Sequence, residues 1–320
     1  MQRRNFLIGT LTAATAKLLS GQTSIDGVAM TSQPSRLDRT YHILGIPLRS
    51  GSFFPGNEND AQAYRDAHLL SRLQTAGCKA VEDGDLAIPS YLPHHSVPPI
   101  RSWPGPRIVW DLVSERLAPL LQQPGNIPLL IGCDCSIVAG TAQALMRANS
   151  EDIHVLYIDG DYDDAAPEPT HSMSAAASAT WLLTNTSPFW SGPVLKPTQV
   201  TVIGWGNPSK SGSQVGSVPL DEVRKSGTGE IARKILDAIP ASSPILLHFD
   251  VDVIRQEDLP TAYFPHTKGL SLSEASELLG VFLKDPRIRI IEITEYAALR
   301  DLNQAYVNKL IDLLVAGLKV

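Results

Sequence analysis

Two short acidic clusters are the residues of this chain best suited to chemistry. The first, 159–163, has the sequence DGDYD after the apolar run 153–158, and the second, 250–252, has the sequence DVD after the apolar run 245–249. Acids at alternate positions of an extended chain point to one side. Converging carboxylates repel each other and resist loss of water unless a cation neutralises them. The clusters therefore predict a site for hard divalent metal ions, with two ions as the simplest case, although either cluster alone would also suit a solvated loop.

Strand-like and helix-like patterns alternate along the chain and place both clusters at strand ends. Strands are predicted at 41–47, 128–131, 153–158, 200–204, 245–249 and 288–294, and helices at 60–76, 111–121, 136–148, 175–183, 227–238, 271–283 and 303–318. Regular alternation with continuously apolar strands predicts a three-layer α/β/α fold with a mainly parallel sheet. In such sheets ligands bind beyond the carboxyl ends of the strands, where both clusters lie.

Local signals refine these elements. Gly77 is predicted as the residue that ends the first helix, Ser136 as an N-cap, and Ser271 with Glu274 as a capping box. The stretch 83–106, which is rich in proline and histidine, is predicted to be irregular.

Composition is typical of a globular protein with a full core. The chain has 320 residues, 43% of them hydrophobic and 19% charged, with a formal net charge of −6. A negative chain without a basic run in its body argues against a nucleic-acid partner. No internal apolar stretch is long enough for a transmembrane helix, so no stable membrane span is expected.

The N-terminus has the features of an export signal. Arg3 and Arg4 precede Phe6-Leu7 and a short apolar run from Ile8 to Leu19, which resembles a twin-arginine signal. We predict a signal and linker over residues 1–39, a folded domain over 40–320, and export to the periplasm. The alternative is a cytoplasmic protein with a disordered or amphipathic tail.

The three cysteines do not form a disulfide framework. Cys133 and Cys135 stand two apart at a predicted strand end, where a disulfide between them would be strained. Cys78 closes a helix pattern and is predicted to be a small core residue.

Three segments together resemble the motifs of a known family. They are IGCDCS at 131–136, DGDYD at 159–163 and FDVD at 249–252. In this order they resemble the ureohydrolase (arginase/agmatinase) family, whose signatures are G-G-D-H-S, D-A-H-x-D and [SF]-D-x-D. Further agreement lies at 44–51, 171–173, 260–271 and 295–301. The resemblance spans roughly residue 41 to the C-terminus and implies an arginase-like fold.

The resemblance also implies a site with two manganese ions that hydrolyses a C–N bond of a guanidino or amidino substrate. Carried over by position, one ion would be held by Cys135, Asp159, Asp163 and Asp250, and the other by Asp159, Asp161, Asp250 and Asp252. His171 would correspond to the family's proton-transfer histidine, and Glu295 to the acid that pairs with the guanidinium. A homotrimer or hexamer is the implied assembly.

This chain departs from the family at two ligand positions. Cys135 and Asp161 stand where the family has histidines, and a thiolate favours a softer ion, so Fe, Zn or Ni are alternatives to Mn. With a thiolate, the six ligands would carry six negative charges against four positive charges from two divalent ions. A neutral thiol or a single ion would relieve that excess.

Other departures concern the substrate. Ala297 and Ala298 replace an Asn-Pro pair, and Phe264 stands where the family has a small polar residue. The loop after Asp163 lacks the Asn and Ser that arginases use on the amino-acid end of their substrate, which argues against free arginine. Two alternatives stay open: a catalytically silent relative kept for binding or assembly, and a single-metal hydrolase of another substrate.

The remaining histidines have less specific interpretations. His154 and His248 alternate with apolar strand residues, which predicts core positions or positions that support the ligands. His266 is expected to line the mouth of the site.

Overall fold

The architecture is a parallel sheet covered on both faces by helices. The protein is described here by a computed structural model, which covers residues 36–56, 58–132, 134–149, 152–192, 194–206 and 212–319. Within these residues a single eight-stranded sheet has the strand order β2-β1-β3-β8-β7-β4-β5-β6, with every neighbouring pair parallel. The strands are β1 Thr40–Gly45, β2 Lys79–Asp85, β3 Asn126–Ile131, β4 His154–Ile158, β5 Val200–Ile203, β6 Gly216–Val218, β7 Ile245–Asp250 and β8 Ile288–Thr294. The predicted three-layer α/β/α class with a mainly parallel sheet is confirmed.

Helices cover the two faces of the sheet with separate apolar cores. The described helices are α1 Asp60–Asp66, α2 Leu69–Thr75, α3 Gly105–Leu121, α4 Val138–Asn149, α5 Ala179–Thr184, α6 Leu220–Ser226, α7 Thr228–Ala238, α8 Leu272–Phe282 and α9 Ala305–Leu318. Side chains from α1, α2 and α6 to α9 share one core, and those from α3, α4 and α5 share the other. Because both faces are covered, the central strands are buried throughout, as the apolar runs predict.

Two strands escape a sequence-based search because they lie at the edges of the sheet. β2 has the polar sequence KAVEDGD and is largely exposed, so it lacks the apolar run that marks a buried strand. β6 is only three residues long. The stretch 83–106, predicted to be irregular, thus begins with the end of β2 and closes with the start of α3. Short or charged edge strands avoid pairing with other chains.

The helix predicted at 60–76 is two helices. His68 has a left-handed backbone with φ of 65°, which breaks the helix between α1 and α2 and turns the chain. Gly77, with φ of 88°, follows α2 in the conformation that glycine adopts most readily.

One predicted cap is confirmed and one is corrected. Ser271 Oγ accepts a hydrogen bond from Glu274 N, and a Glu274 carboxylate oxygen accepts one from Ser271 N, so the capping box is present. Ser136 is not the N-cap of α4, because it lies inside a short 3₁₀ turn, Cys135–Ile137, and its own amide donates to the Asp134 carboxylate, which caps that turn.

Several expectations concern residues outside this description. The predicted twin-arginine-like signal lies outside the described residues and stays a prediction, as does any role of Cys133. Among the residues described, no helix combines the length and apolar character required to cross a membrane. Cys78 is 5% exposed in the core, as predicted.

The packing of α3 against α4 depends on a glycine. A β-carbon at Gly140 would meet the Trp110 carbonyl oxygen at 2.4 Å and its Cα at 2.8 Å. Both are backbone atoms, so rotation of a side chain cannot relieve the overlap. We expect Gly140→Ala to lower the free energy of unfolding by about 1–3 kcal/mol in urea denaturation.

Gly280 in α8 provides the matched control, because a β-carbon there would have no neighbour within 4 Å. Gly280→Ala should be neutral or stabilise the protein by up to about 1 kcal/mol. Equal effects of the two substitutions would contradict this account of the α3–α4 contact.

Candidate metal centre

Four neighbouring strands of the sheet, β3, β8, β7 and β4, end around one cavity of about 170 Å³. Cys135 follows β3, Glu295 follows β8, Asp250 closes β7, and Asp159 follows β4. The cavity is lined by Phe53, Cys135, Asp159, Asp161, Asp163, Ser174, Ala176, Ala177, Asp250, Asp252, Phe264 and Glu295. The structure thus brings all six predicted metal ligands and Glu295 together.

A second cavity is larger but lacks the groups for metal chemistry. It has a volume of about 610 Å³ and lies between segments 47–56 and 88–94. No carboxylate is among its described lining residues. The smaller acidic cavity is therefore the candidate site.

His171 lies away from this cavity. Its side chain is 78% exposed, and its ring Nδ1 is 3.0 Å from Thr170 Oγ1 and 3.3 Å from a Glu168 carboxylate oxygen. The structure therefore does not bring it together with the acidic residues, and its proposed part in proton transfer stays a prediction.

Backbone amides hold the two acidic clusters in shape and join them. Asp161 N donates a hydrogen bond of 2.6 Å to Asp159, and Asp252 N donates one of 2.7 Å to Asp250. Gly160 N donates a third, of 3.0 Å, to Asp252 Oδ1 and so links one cluster to the other. Each bond occupies one carboxylate oxygen and leaves the second oxygen for another partner.

The turn that carries Cys135 is fixed by a buried network. Asp134 accepts hydrogen bonds from Gly51 N and from the backbone and hydroxyl of Ser136. Trp110 Nε1 donates to the same hydroxyl at 3.0 Å. This network ties the loop after β1 to the turn after β3, so two walls of the cavity are positioned by one carboxylate.

The surroundings of Cys135 favour the neutral form of its thiol. It is 1% exposed, and burial, followed by the charges of Asp250 and Asp159, raises the pKa of the thiol well above its usual value. Its Sγ donates to Asp250 Oδ2 at 2.7 Å.

The carboxylates are strongly destabilised as anions. Burial is the main cause that raises the pKa values of Asp159, Asp250 and Glu295 well above their ordinary range. Neighbouring carboxylates add to the increase, for example Asp163 acting on Asp159. A cation bound among them would reverse both effects.

Two acidic residues of the cavity have unusual backbone conformations. Glu295 has φ of 61° and Asp163 has φ of 48°, a region that costs non-glycine residues energy. Glu295 is 3% exposed, and among the described residues neither of its carboxylate oxygens has a hydrogen-bond partner. The fold thus holds a buried, unpaired carboxylate at the cavity in a strained conformation, which is typical of a group kept for a ligand.

A histidine joins each half of the site. Donor atoms of Cys135, Asp159, Asp250 and His248 all lie within 4.8 Å of one another, as do those of Asp161, Asp252 and His266. The first group shares three residues with one expected ligand set, and the second shares Asp161 and Asp252 with the other. Each group also contains an imidazole that the positional carry-over did not assign as a ligand.

His248 is held by groups typical of a metal-binding histidine. Its Nδ1 is 2.8 Å from a Glu292 carboxylate oxygen, and its Nε2 is 3.4 Å from Thr294 Oγ1. The ring stacks on Tyr157 with centroids 4.3 Å apart. A carboxylate on one ring nitrogen fixes the tautomer and orientation of the ring.

His266 lies beside the second acidic pair, and the neighbouring carboxylates of Asp161 and Asp252 raise its pKa to about 10. Sequence spacing alone gives a signal for His248, which alternates with Asp250 on β7 and so shares its face. His266 lies on a separate loop, so the sequence indicated only that it would line the mouth of the site and not that it would lie beside Asp161 and Asp252.

Aromatic side chains form the mouth of the cavity. Phe54 stacks on Phe264 with ring centroids 5.5 Å apart, and Phe53 meets Phe54 edge-on at 4.9 Å. Phe53 and Phe54 are 44% and 52% exposed. Arg101 lies over the Phe53 ring at 4.6 Å and donates a hydrogen bond to the Phe53 carbonyl.

The loops that carry these rings are bound to each other through Asp60. This buried carboxylate accepts hydrogen bonds from the Tyr263 hydroxyl and from Ala298 N, each at 2.9 Å. Arg49 lies 3.7 Å from Asp60 and stacks over the Tyr263 ring. The contacts of Asp60 therefore hold the loops of the aromatic mouth in place.

The residues present fit a divalent cation. Buried carboxylate oxygens, a thiol and two imidazoles converge, the carboxylates are destabilised by one another, and Glu295 lacks any partner. Oxygen and nitrogen donors suit Mn²⁺, whereas the sulfur of Cys135 suits Zn²⁺ or Fe²⁺ better.

Known proteins resemble this chain in sequence and in fold. The sequence model of the Arginase family matches residues 39–315. An arginase from Neurospora crassa is 25% identical over 266 residues, which cover 76% of this chain and 73% of that protein. The structure of an arginase from Bacillus caldovelox superposes with a TM-score of 0.78 at 19% identity, covering 88% of this chain and 99% of the other.

A structure titled as a Trypanosoma cruzi formiminoglutamase with Mn²⁺ superposes with a TM-score of 0.68 at 19% identity. It covers 90% of this chain and 95% of the other. These structural likenesses show the fold, and the sequence match over most of the chain shows the family. The chain belongs to the arginase family.

Proposed function

We propose that this protein is a metal-dependent hydrolase of a linear C–N bond in a guanidino or amidino compound. Arginase-family members are hydrolases that act on amidino C–N bonds. The observation that carries the proposal is the buried, unpaired Glu295 beside six potential metal ligands in one cavity.

Two divalent ions are the proposed cofactor. One would be held by Cys135, Asp159, Asp163 and Asp250, and the other by Asp159, Asp161, Asp250 and Asp252. When bound, such ions supply the Lewis acidity that makes water a nucleophile near neutral pH. The arginase family is known for dinuclear manganese sites, so Mn²⁺ is the first ion to test.

Glu295 is proposed to bind the cationic head of the substrate. A guanidinium or amidinium group presents paired N–H donors, which a carboxylate can accept at both oxygens. Because Glu295 is 3% exposed, such a pair would be stronger than one in water. The strained backbone at Glu295 would hold the carboxylate in place before substrate arrives.

Cys135 would tune the charge of the site. A neutral thiol leaves five negative charges on the six proposed ligands, one fewer than a thiolate would give. The excess over two divalent ions is then one charge rather than two. Because a thiol loses its proton when it binds a metal, a neutral Cys135 would leave the first ion to the three aspartates, whereas the thiolate would add a ligand that favours a softer ion.

The substrate's tail is proposed to be apolar. A cavity of about 170 Å³ accommodates an amidine head but falls below the roughly 300 Å³ of a typical whole-ligand pocket, so the tail must extend through the mouth. Phe53 and Phe264 line that exit, and among the described lining residues there is no lysine or arginine to bind a carboxylate. Arg101, at the mouth, is engaged by the ring and the carbonyl of Phe53. These features favour aryl or alkyl tails over an amino-acid end.

Metal binding gives the first test. Saturation with Mn²⁺ at about 100 times its dissociation constant should add about 2.7 kcal/mol to the free energy of unfolding, because the ion binds only the folded site. Asp250→Ala should abolish bound metal, the thermal shift and urea-type product release. Metal content by mass spectrometry, melting temperature and a panel of guanidino compounds measure these three effects.

Asp237→Ala is the control, since Asp237 is an exposed carboxylate of α7. Unchanged metal content in Asp250→Ala would refute the proposed ligand set. Two bound ions with no hydrolysis of any compound would instead favour a catalytically silent relative that binds ligands. The replacement of both family histidines by Cys135 and Asp161 is the observation that favours this second candidate.

The aromatic mouth gives the second test. Phe264→Ser should lower kcat/KM for an arylalkyl guanidine such as phenethylguanidine about tenfold more than for methylguanidine, because an aromatic contact contributes about 1.5 kcal/mol. Leu302→Ser, at a residue 85% exposed and outside the cavity, should leave the ratio unchanged. A wild-type preference for free arginine would contradict the proposed tail.

A further inference from the structure

His266 stands where a ligand of the second ion would be. Its Nε2 lies 3.4 Å from an Asp161 carboxylate oxygen and 3.5 Å from an Asp252 carboxylate oxygen. The nitrogen is buried, yet it is not in hydrogen-bonding geometry with either. Both separations are shorter than the roughly 4.4 Å that one cation spans at ligand distances of about 2.0–2.2 Å. The donor atoms of all three residues lie within 4.8 Å of one another.

Gly160 makes room for this ring. A β-carbon at residue 160 would lie 2.5 Å from His266 Cδ2 and 2.9 Å from Asp252 Oδ1. Gly160 is absent from the residues with positive φ, so space rather than backbone conformation requires glycine here. The corresponding family motif, D-A-H-x-D, has alanine at this position and histidine at the next. Relative to that motif, this chain has Gly160 instead of alanine and Asp161 instead of histidine, and the His266 ring lies beside both positions.

We propose that His266 supplies the imidazole ligand of the second ion that the family takes from the middle of its second motif. The ion would then be bound by Asp161, Asp252 and His266, together with Asp159 and Asp250. This inference rests on the proposed function for the existence of a second ion, and it adds a ligand that the positional carry-over does not contain.

The unpaired Glu295 carboxylate favours a bound cation in this cavity over a cluster of acids alone. This residue is 3% exposed and lines the same cavity as Asp161 and Asp252. The competing explanation is that protonated His266 itself neutralises the two aspartates and takes the place of the second ion. The two explanations predict opposite metal counts.

The experiment measures Mn²⁺ binding to the full chain by mass spectrometry after gel filtration and by calorimetric titration. Wild-type protein should bind two Mn²⁺ per chain, and their magnetic coupling should give a multiline electron paramagnetic resonance spectrum. His266→Ala should weaken the second ion at least 100-fold, since loss of a mere supporting residue already costs about 10–100-fold. The first ion should bind as before, and the coupled spectrum should disappear.

Two further variants test the relocation of the imidazole. Asp161→His in the His266→Ala background should restore the second ion, because it returns histidine to the family's position. Gly160→Ala should lower the affinity of the second ion by displacing the His266 ring. His94→Ala, at an exposed histidine, is the matched control and should keep both ions.

Each result decides the question. One Mn²⁺ in wild-type protein and two in His266→Ala would show that the imidazolium substitutes for the ion and would overturn the proposal. Two Mn²⁺ with unchanged affinity in His266→Ala would also overturn it. Absence of all Mn²⁺ from wild-type protein would overturn the proposed dinuclear function as well, so failure of His266 alone is distinguishable from failure of the site. Unfolding of the single variants would show in circular dichroism, and the double variant then provides the test.

Discussion

The repulsion among buried carboxylates is the constraint on which the rest of this structure depends. Asp159, Asp250 and Glu295 are nearly inaccessible to water, and burial together with neighbouring acids raises their pKa values well above the ordinary range. Such an arrangement does not stabilise a protein, so other interactions of the fold must hold the acids together. The strands of the parallel sheet bring the acids to one edge. Backbone amides bind one carboxylate oxygen each of Asp159 and Asp250, and the buried Asp134 network fixes the adjoining loops.

The same constraint explains why the mouth of the site is built differently from its floor. The floor is polar and fixed by strands, whereas the mouth consists of three phenylalanine rings on loops anchored through Asp60. Apolar rings exclude water from the acids and so strengthen any charge pairing beneath them. A cationic head and an apolar tail would each find a matching environment in this order. The floor and the mouth of the site therefore differ in dielectric environment as well as in shape.

Much of this could be predicted from sequence because periodicity and order carry the information. Buried strands such as β4 and β7 are continuous apolar runs, and the acids that follow them show where the site lies. Edge strands β2 and β6 carry no such run, and the break at His68 depends on a backbone angle that periodicity does not encode. His266 could not be placed at the second acidic pair from spacing, since a loop without a repeat brings it there. Local patterns therefore predict the layers, but contacts between distant loops require coordinates.

The narrow space at Gly160 has a consequence for how this site could have arisen. An alanine at this position and the present His266 ring cannot occupy the same volume without displacement. A lineage that began with alanine would therefore have had to lose its methyl group before, or together with, the arrival of the ring. Once the ring is in place, the return of a methyl group at residue 160 would require the ring to move. With His266 as the proposed ligand, the two positions would form an epistatic pair, and the change of ligand set would be hard to reverse.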